Sequence, residues 1–110
     1  MRLRRRQEFL AVQGSGTKVH GKAFLAMISP SDKAGAVGRV GVTVTKKVGN
    51  AVTRNRIKRL VREWLRTHGW VPRGVDVVIV AKESAASLRG MAMMSPELER
   101  LHQRILGAAA

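Results

Sequence analysis

The chain has 110 residues, the length of one ordinary domain, and its 45% apolar content is that of a globular protein with one modest core. Its 21 Lys and Arg against 7 Asp and Glu give a formal charge of +14, which repels itself in a compact chain and predicts an anionic partner, nucleic acid first and an anionic membrane second. The absence of cysteine excludes disulfides and thiolate metal sites, and the apolar runs are too short to span a membrane.

The first third of the chain predicts a helix and then a strand. Arg4–Gln13 is expected to form a short helix that ends at the following glycines. No apolar signal segment follows the basic start, and we expect a cytoplasmic protein. Lys22–Ser29 is apolar and bounded by Gly21 and Pro30, which predicts a strand, and the polar stretch Ser31–Ala36 predicts a loop.

The segment Arg39–Thr45 alternates cleanly between two kinds of side chain, as a half-buried strand does. One set is Val40, Val42 and Val44, and the opposite set is Arg39, Gly41, Thr43 and Thr45. One face of this strand is therefore predicted to join the core. The other face is small, polar and open to a ligand or to solvent.

The second half predicts a long helix, a strand and a final helix. The long helix follows Asn50 and runs to about His68, and Val75–Ala81 is a nearly continuous apolar run that predicts an interior strand. Ser95 and Pro96 fit the start of the last helix. The apolar stripe of the long helix consists of Ile57, Leu60, Val61, Trp64 and Leu65.

This order indicates an α+β fold, a two-layer sandwich with a single sheet, in one domain over residues 1–110. Strand 39–45, the long helix and strand 75–81 form a candidate βαβ crossover. The stretch Ser84–Met94 gives no clear prediction.

The long helix carries a row of basic side chains opposite its apolar stripe. Asn55, Arg59, Arg62 and Arg66 share one face, because a helix turns by about 100° per residue. Rigidly spaced guanidinium groups can bind several phosphates at once. The alternative is a solvated charged face. Such faces usually carry charges of both signs, whereas this helix has six basic residues and one acid, Glu63. We therefore predict a nucleic-acid partner.

The segment from Arg39 to Arg62 reads RVGVTVTKKVGNAVTRNRIKRLVR and closely resembles the bacterial ribonuclease P protein subunit. The Arg54-Asn55-Arg56 core within KKVGNAVTRNRIKRLVRE carries this resemblance. RLRRRQEF, GKAFLAMI and GVDVVIVAKESAA extend it to the family's first helix, its second strand and the strand after the basic helix.

The resemblance implies the element order α-β-β-β-α-β-α of a ribosomal protein S5 domain 2-like fold, with a left-handed βαβ crossover. The general rule predicts a right-handed crossover, and on this point we follow the resemblance. It also implies an accessory subunit, one monomer per catalytic RNA, in a ribonucleoprotein that removes the 5′ leader from precursor tRNA. The RNA is expected to hold the active site and most of the Mg²⁺, so that the protein has no cofactor and no catalytic residue of its own and promotes metal and substrate binding.

Two sets of functional residues follow from the resemblance and from the basic face. The set expected to bind RNA is Lys46, Lys47, Asn50, Arg54, Asn55, Arg56, Lys58, Arg59, Arg62 and Arg66. The set expected to line a cleft for the leader is Phe9, Gln13, Phe24, Arg39 and Thr43. Gln13 stands where the family often has a second aromatic, which removes a stacking platform of about 1–3 kcal/mol per base. On residue type alone, Phe9 is more often a core side chain than a base-stacking one.

Two other functions compete with this one. A plain RNA-binding or ribosome-associated domain would have the same basic helix and no catalytic partner. A self-sufficient metal nuclease would need clustered carboxylates or histidines. The seven acids and three histidines are scattered along the chain without ligand spacing, which argues against a nuclease.

Overall fold

Four strands form one mixed sheet in the computed structural model, which describes residues 17–30, 39–68 and 75–109. The predicted helix at Arg4–Gln13 and the predicted loop at Ser31–Ala36 lie outside the described residues. In space the strands follow the order β1-β2-β4-β3. Their bounds are Thr17–His20 for β1, Phe24–Pro30 for β2, Arg39–Thr43 for β3 and Val75–Ala81 for β4.

The strand directions fit the predicted βαβ unit. β1 and β2 are antiparallel, as are β2 and β4. β3 and β4 are parallel neighbours, with Val40 aligned with Val77 and Val42 with Ile79. Since a parallel pair needs a crossover connection, the helix between them belongs to that connection. The left-handed sense of the crossover stays a prediction.

Local hydrogen bonds explain where the strand limits depart from the sequence prediction. β4 has the predicted bounds. β2 begins two residues late because the Gly21 N–H donates to the Phe24 carbonyl at 2.7 Å and closes a turn. β3 ends at Thr43 because the chain then turns, with the Val48 N–H donating to the Thr45 carbonyl at 3.1 Å. β1 was not located from sequence, since Thr17–His20 is too short to show alternation.

The long helix, α1, spans Ala51–His68 as predicted. Asn50 caps it, since its Oδ1 accepts the Thr53 N–H at 2.9 Å. The buried residues of α1 are those of the predicted stripe: Ile57, Leu60, Val61, Trp64 and Leu65.

The last helix, α2, spans Met91–Ala109, so the prediction that it starts at Ser95 and Pro96 is wrong. A short 3-10 helix at Glu83–Ser87 precedes it. The first turn closes on Gly90, whose carbonyl accepts the Met94 N–H at 3.0 Å. Pro96 lies inside the helix, which it tolerates at the cost of one backbone hydrogen bond. The Ser95 hydroxyl has another role: it accepts the Trp64 indole N–H at 3.0 Å.

Both helices cover one face of the sheet, which gives the predicted two-layer α+β architecture. The core on this face joins alternate strand residues, such as Phe24, Ala26 and Ile79, to the buried stripes of α1 and α2. The opposite face carries a smaller cluster of Met27 and Val78, with the half-buried Val80 packed against it.

The bond between Trp64 and Ser95 gives a test of how α1 and α2 are joined. Ser95→Ala should lower the free energy of unfolding by about 1 kcal/mol, because a buried indole N–H loses its acceptor at a cost of ~1–3 kcal/mol and alanine's higher helix propensity recovers ~0.5 kcal/mol. Urea denaturation followed by circular dichroism measures this change. In a Trp64→Phe background, which has no indole N–H, the same substitution should raise the free energy of unfolding by about 0.5 kcal/mol through helix propensity alone, and an equal loss in both backgrounds would contradict the assignment.

Candidate nucleic-acid interface

The outer face of α1 presents the predicted row to solvent. Asn55, Arg59, Arg62 and Arg66 are all exposed, whereas Ile57 and the rest of the apolar stripe are buried beneath them. Burial of the stripe fixes the helix on the sheet. The exposed row therefore projects from a rigid support, and we name it the basic row.

The side chains of the basic row border an open groove along the helix. Five of the eight residues that line it are cationic and one is acidic, so its charge is strongly positive. The lining residues are Val52, Asn55, Arg56, Lys58, Arg59, Arg62, Glu63 and Arg66. Val52 is 76% exposed and was not predicted to belong to the site. Its signal in the sequence is its position on the helix outside the apolar stripe, where a large aliphatic residue has no core to fill.

The two arginines of the Arg54-Asn55-Arg56 core differ from the exposed row. Both are half-buried, and the Nε atoms of both are buried without a hydrogen-bond partner in the described structure. Arg56 also donates from Nη2 to the Ala86 carbonyl of the 3-10 helix at 3.1 Å. Part of the hydrogen-bonding capacity of Arg56 is therefore used within the protein.

The turn before α1 adds further predicted RNA-binding residues. Lys46 and Lys47 are exposed and lie next to the helix N-terminus. Asn50 is also exposed, but its side-chain carbonyl is engaged in the cap with Thr53. Asn50 can therefore offer a ligand its amide N–H₂ group and the second lone pair of its carbonyl oxygen.

The structure describes three of the five residues that were predicted to line the leader cleft. Phe24 is 1% exposed and sits in the core between sheet and helices, so its assignment to the cleft is wrong. Thr43 is half-buried and lies on the opposite face of the sheet, because its neighbours Val42 and Val44 join the core. Arg39 is aligned with Asp76 of β4. Phe9 and Gln13 lie outside the described residues.

The face opposite the helices brings together residues that the sequence reasoning missed. His20, Leu25, Val80 and Thr43 are successive partners across the four strands. His20 is exposed, and the other three are half-buried. Period-two alternation could have found Leu25, since a strand that buries Phe24 and Ala26 on one face must present Leu25 on the other. We name this row the sheet row.

Two further features of the described residues concern metals and membranes. No three of their His, Asp and Glu side chains lie close enough together to hold a metal ion. Neither α1 nor α2 has the length and apolar character needed to cross a bilayer.

Comparison with known proteins gives the family. The family model for ribonuclease P matches residues 1–106, which is nearly the whole chain. The chain belongs to the ribonuclease P protein family. Among its relatives, the ribonuclease P protein component of Desulfatibacillum aliphaticivorans is 42% identical over 105 residues, covering 94% of this chain and 86% of the relative. The component from Desulfovibrio desulfuricans is 39% identical, covering 100% of this chain and 89% of the relative.

Solved ribonuclease P proteins share the fold. That of Thermotoga maritima superimposes with a TM-score of 0.82 at 29% identity, covering 96% of this chain and 97% of the other. That of Staphylococcus aureus gives a TM-score of 0.79 at 27% identity, covering 91% and 90%. The chain is therefore a protein component of ribonuclease P, a ribonucleoprotein that processes tRNA, and its partner is an RNA.

The different surroundings of Arg56 and Arg59 predict different effects on stability. Arg56→Ala should lower the free energy of unfolding by about 1 kcal/mol, because the loss of a charged donor to the Ala86 carbonyl is partly offset by removal of the unpaired buried Nε. Arg59→Ala should change it by less than about 0.5 kcal/mol, because Arg59 is exposed. Urea denaturation of the free protein measures both variants. Equal stabilities would show that the contact between α1 and the 3-10 helix contributes little.

Proposed function

We propose that this ribonuclease P protein is an accessory subunit that binds the catalytic RNA through the basic row and receives the 5′ leader of precursor tRNA on the other face of the sheet. The observation that carries the proposal is the exposure of Arg59, Arg62 and Arg66 on a helix whose underside is buried. We further propose that one protein acts with one RNA, in the cytoplasm.

The geometry of α1 suits a phosphate backbone. From Asn55 to Arg66 the basic row spans about 16 Å, since a helix rises 1.5 Å per residue. Arginine binds phosphate through two parallel N–H donors, and it can also stack on an unpaired base. The exposed Val52 adds an apolar contact at the start of the same groove. Together these groups fit a folded RNA that offers phosphates and an accessible ribose or base.

The leader would lie along the sheet row. A single strand is recognised by apolar and aromatic contacts to its bases together with positive charge along its backbone. The half-buried Leu25 and Val80 supply apolar surface, and the exposed His20 supplies a ring on which a base can stack. Phe9 stays the aromatic residue predicted to join them. With Gln13 in place of an aromatic, charge is expected to carry more of the leader affinity.

The protein's contribution to catalysis is then electrostatic. Two RNAs that approach each other repel through their phosphates, and Mg²⁺ or protein cations must offset this repulsion. A chain of net charge +14 placed between them lowers the Mg²⁺ concentration that the complex needs. We propose that Mg²⁺ is held mainly by the RNA, where it would activate the attacking water and stabilise the charge on the leaving oxygen.

Salt dependence of binding tests the basic row. Arg59→Ala and Arg62→Ala should each weaken binding of the catalytic RNA and reduce the slope of log K against log salt by about 0.7–0.9, since each removes one phosphate contact. Filter binding over a range of potassium concentrations measures the slope. Arg89→Ala removes the same charge from an exposed position outside the groove and serves as the matched control. Slopes that fall equally in all three variants would reflect net charge alone and would place the contact elsewhere.

Reconstitution at low Mg²⁺ tests the accessory role. The protein alone should cut no precursor tRNA, and adding it to the cognate catalytic RNA should accelerate leader removal. The acceleration should shrink when the leader is shortened to one nucleotide, because the sheet row then has nothing to bind. Metal-dependent cleavage by RNA-free protein would favour a self-sufficient nuclease. No acceleration at any Mg²⁺ concentration would favour a plain RNA-binding domain.

A further inference from the structure

A second basic cluster lies where the β1–β2 turn meets α2. Gly21 and Lys22 of the turn, with Glu97, Arg100, Leu101 and Arg104 of α2, line a small concave site of about 120 Å³. Three of these side chains are cationic and one is acidic. We name Lys22, Arg100 and Arg104 the α2 patch. All three residues are exposed.

The turn beneath the α2 patch is held from three sides. The carbonyl of His20 accepts a hydrogen bond from Nη1 of Arg104. The carbonyl of Gly21 accepts from Nζ of Lys82 at 2.7 Å, and that of Lys22 accepts from the Ser84 hydroxyl at 3.1 Å. Three consecutive carbonyls are thus fixed by side chains from distant parts of the chain. Arg104 is positioned by this contact while using one of its five N–H donors, which leaves the others for a ligand.

The α2 patch is separate from the basic row, since the two sites share no lining residue. Ser95 and His102 mark the side of α2 that meets α1, since both contact Trp64. At about 100° per residue, Arg100 and Arg104 lie on nearly the opposite side of α2. The α2 patch is therefore on the side of α2 that faces away from α1, outside the groove that the basic row borders.

We propose that the α2 patch is a further RNA-binding surface, in addition to the basic row and the sheet row, which holds the phosphates of an RNA segment different from the one bound by the basic row. The inference rests on the proposed function, because it takes RNA as the partner. Its support is the local excess of cations, one of them held in place by the protein, on the side of α2 away from α1. Such a surface gives the protein one more point at which it binds RNA phosphates. The shared chemistry is a phosphate backbone, which either the catalytic RNA or the precursor tRNA can supply.

Matched single-charge variants test the α2 patch. Lys22→Ala and Arg100→Ala remove exposed side chains that hold no part of the turn, whereas Arg104→Ala would release the His20 carbonyl and is avoided. Each should reduce the salt slope by about 0.7–0.9 relative to Arg89→Ala, either for the catalytic RNA or for precursor tRNA added to the protein–RNA complex. The RNA that responds identifies the source of the phosphates. Slopes equal to that of Arg89→Ala for both RNAs would overturn the proposal and leave a solvated charged face.

Local probing gives an independent measurement, since the chain has no cysteine and each introduced thiol is unique. Iron–EDTA attached at Arg100→Cys and, separately, at Arg62→Cys should produce hydroxyl-radical cuts at two different RNA segments. Cuts from Arg62→Cys without cuts from Arg100→Cys would refute the α2 patch and leave the basic row intact. Cuts from neither position would refute the proposed function itself. Cuts from both at the same nucleotides would show one binding site instead of two.

Discussion

Burial of the apolar stripe of α1 is the interaction on which the rest of the structure depends. The surface charges of α1 do not stabilise it, because it has six basic side chains and one acid, and like charges on neighbouring turns repel. Its order comes from Ile57, Val61 and Trp64, which are almost completely buried against the sheet and α2. Burial of each of these side chains contributes about 1.5–3 kcal/mol to the stability of the fold. The apolar underside thus makes it possible to hold many cations at fixed spacing.

The α2 patch also consists of exposed cations on a support that is fixed by contacts within the protein. There the support is a network of backbone carbonyls bound by Lys82, Ser84 and Arg104, and the exposed cations stand above it. At the basic row and at the α2 patch, packing and hydrogen bonds within the protein position the charged side chains. We propose that the site of chemistry lies on the RNA partner.

The sequence predicted well those elements whose pattern is long and has one period. α1 and β4 came out with the expected bounds, and the exposed and buried sides of α1 were assigned correctly, because eighteen residues give a clear helical period. The start of α2 was wrong because Ser95 and Pro96 have strong local preferences for a helix start, whereas Ser95 is used by Trp64. β1 is four residues long and is fixed by pairing with β2, which no local pattern records.

The candidate site was predicted where it lies on one helix and only partly where several elements meet. Phe24 was assigned to the leader cleft by resemblance, but which face of β2 joins the core depends on how the sheet packs against both helices. The role of Arg56 was equally hidden, since its partner Ala86 is thirty residues away in a segment without a readable pattern. Long-range contacts of this kind leave no trace in local spacing.

The hydrogen bond from Arg56 to Ala86 has a mechanical consequence. It joins α1 to the 3-10 helix, the segment that leads into α2. An anion that draws the guanidinium toward itself competes with that carbonyl for this one hydrogen bond, while the buried Ala85 and Leu88 still hold the segment in the core. An anion that approaches the remaining N–H groups of Arg56 leaves this hydrogen bond intact. The way in which a partner binds Arg56 therefore determines whether the hydrogen bond between α1 and the 3-10 helix is kept or lost.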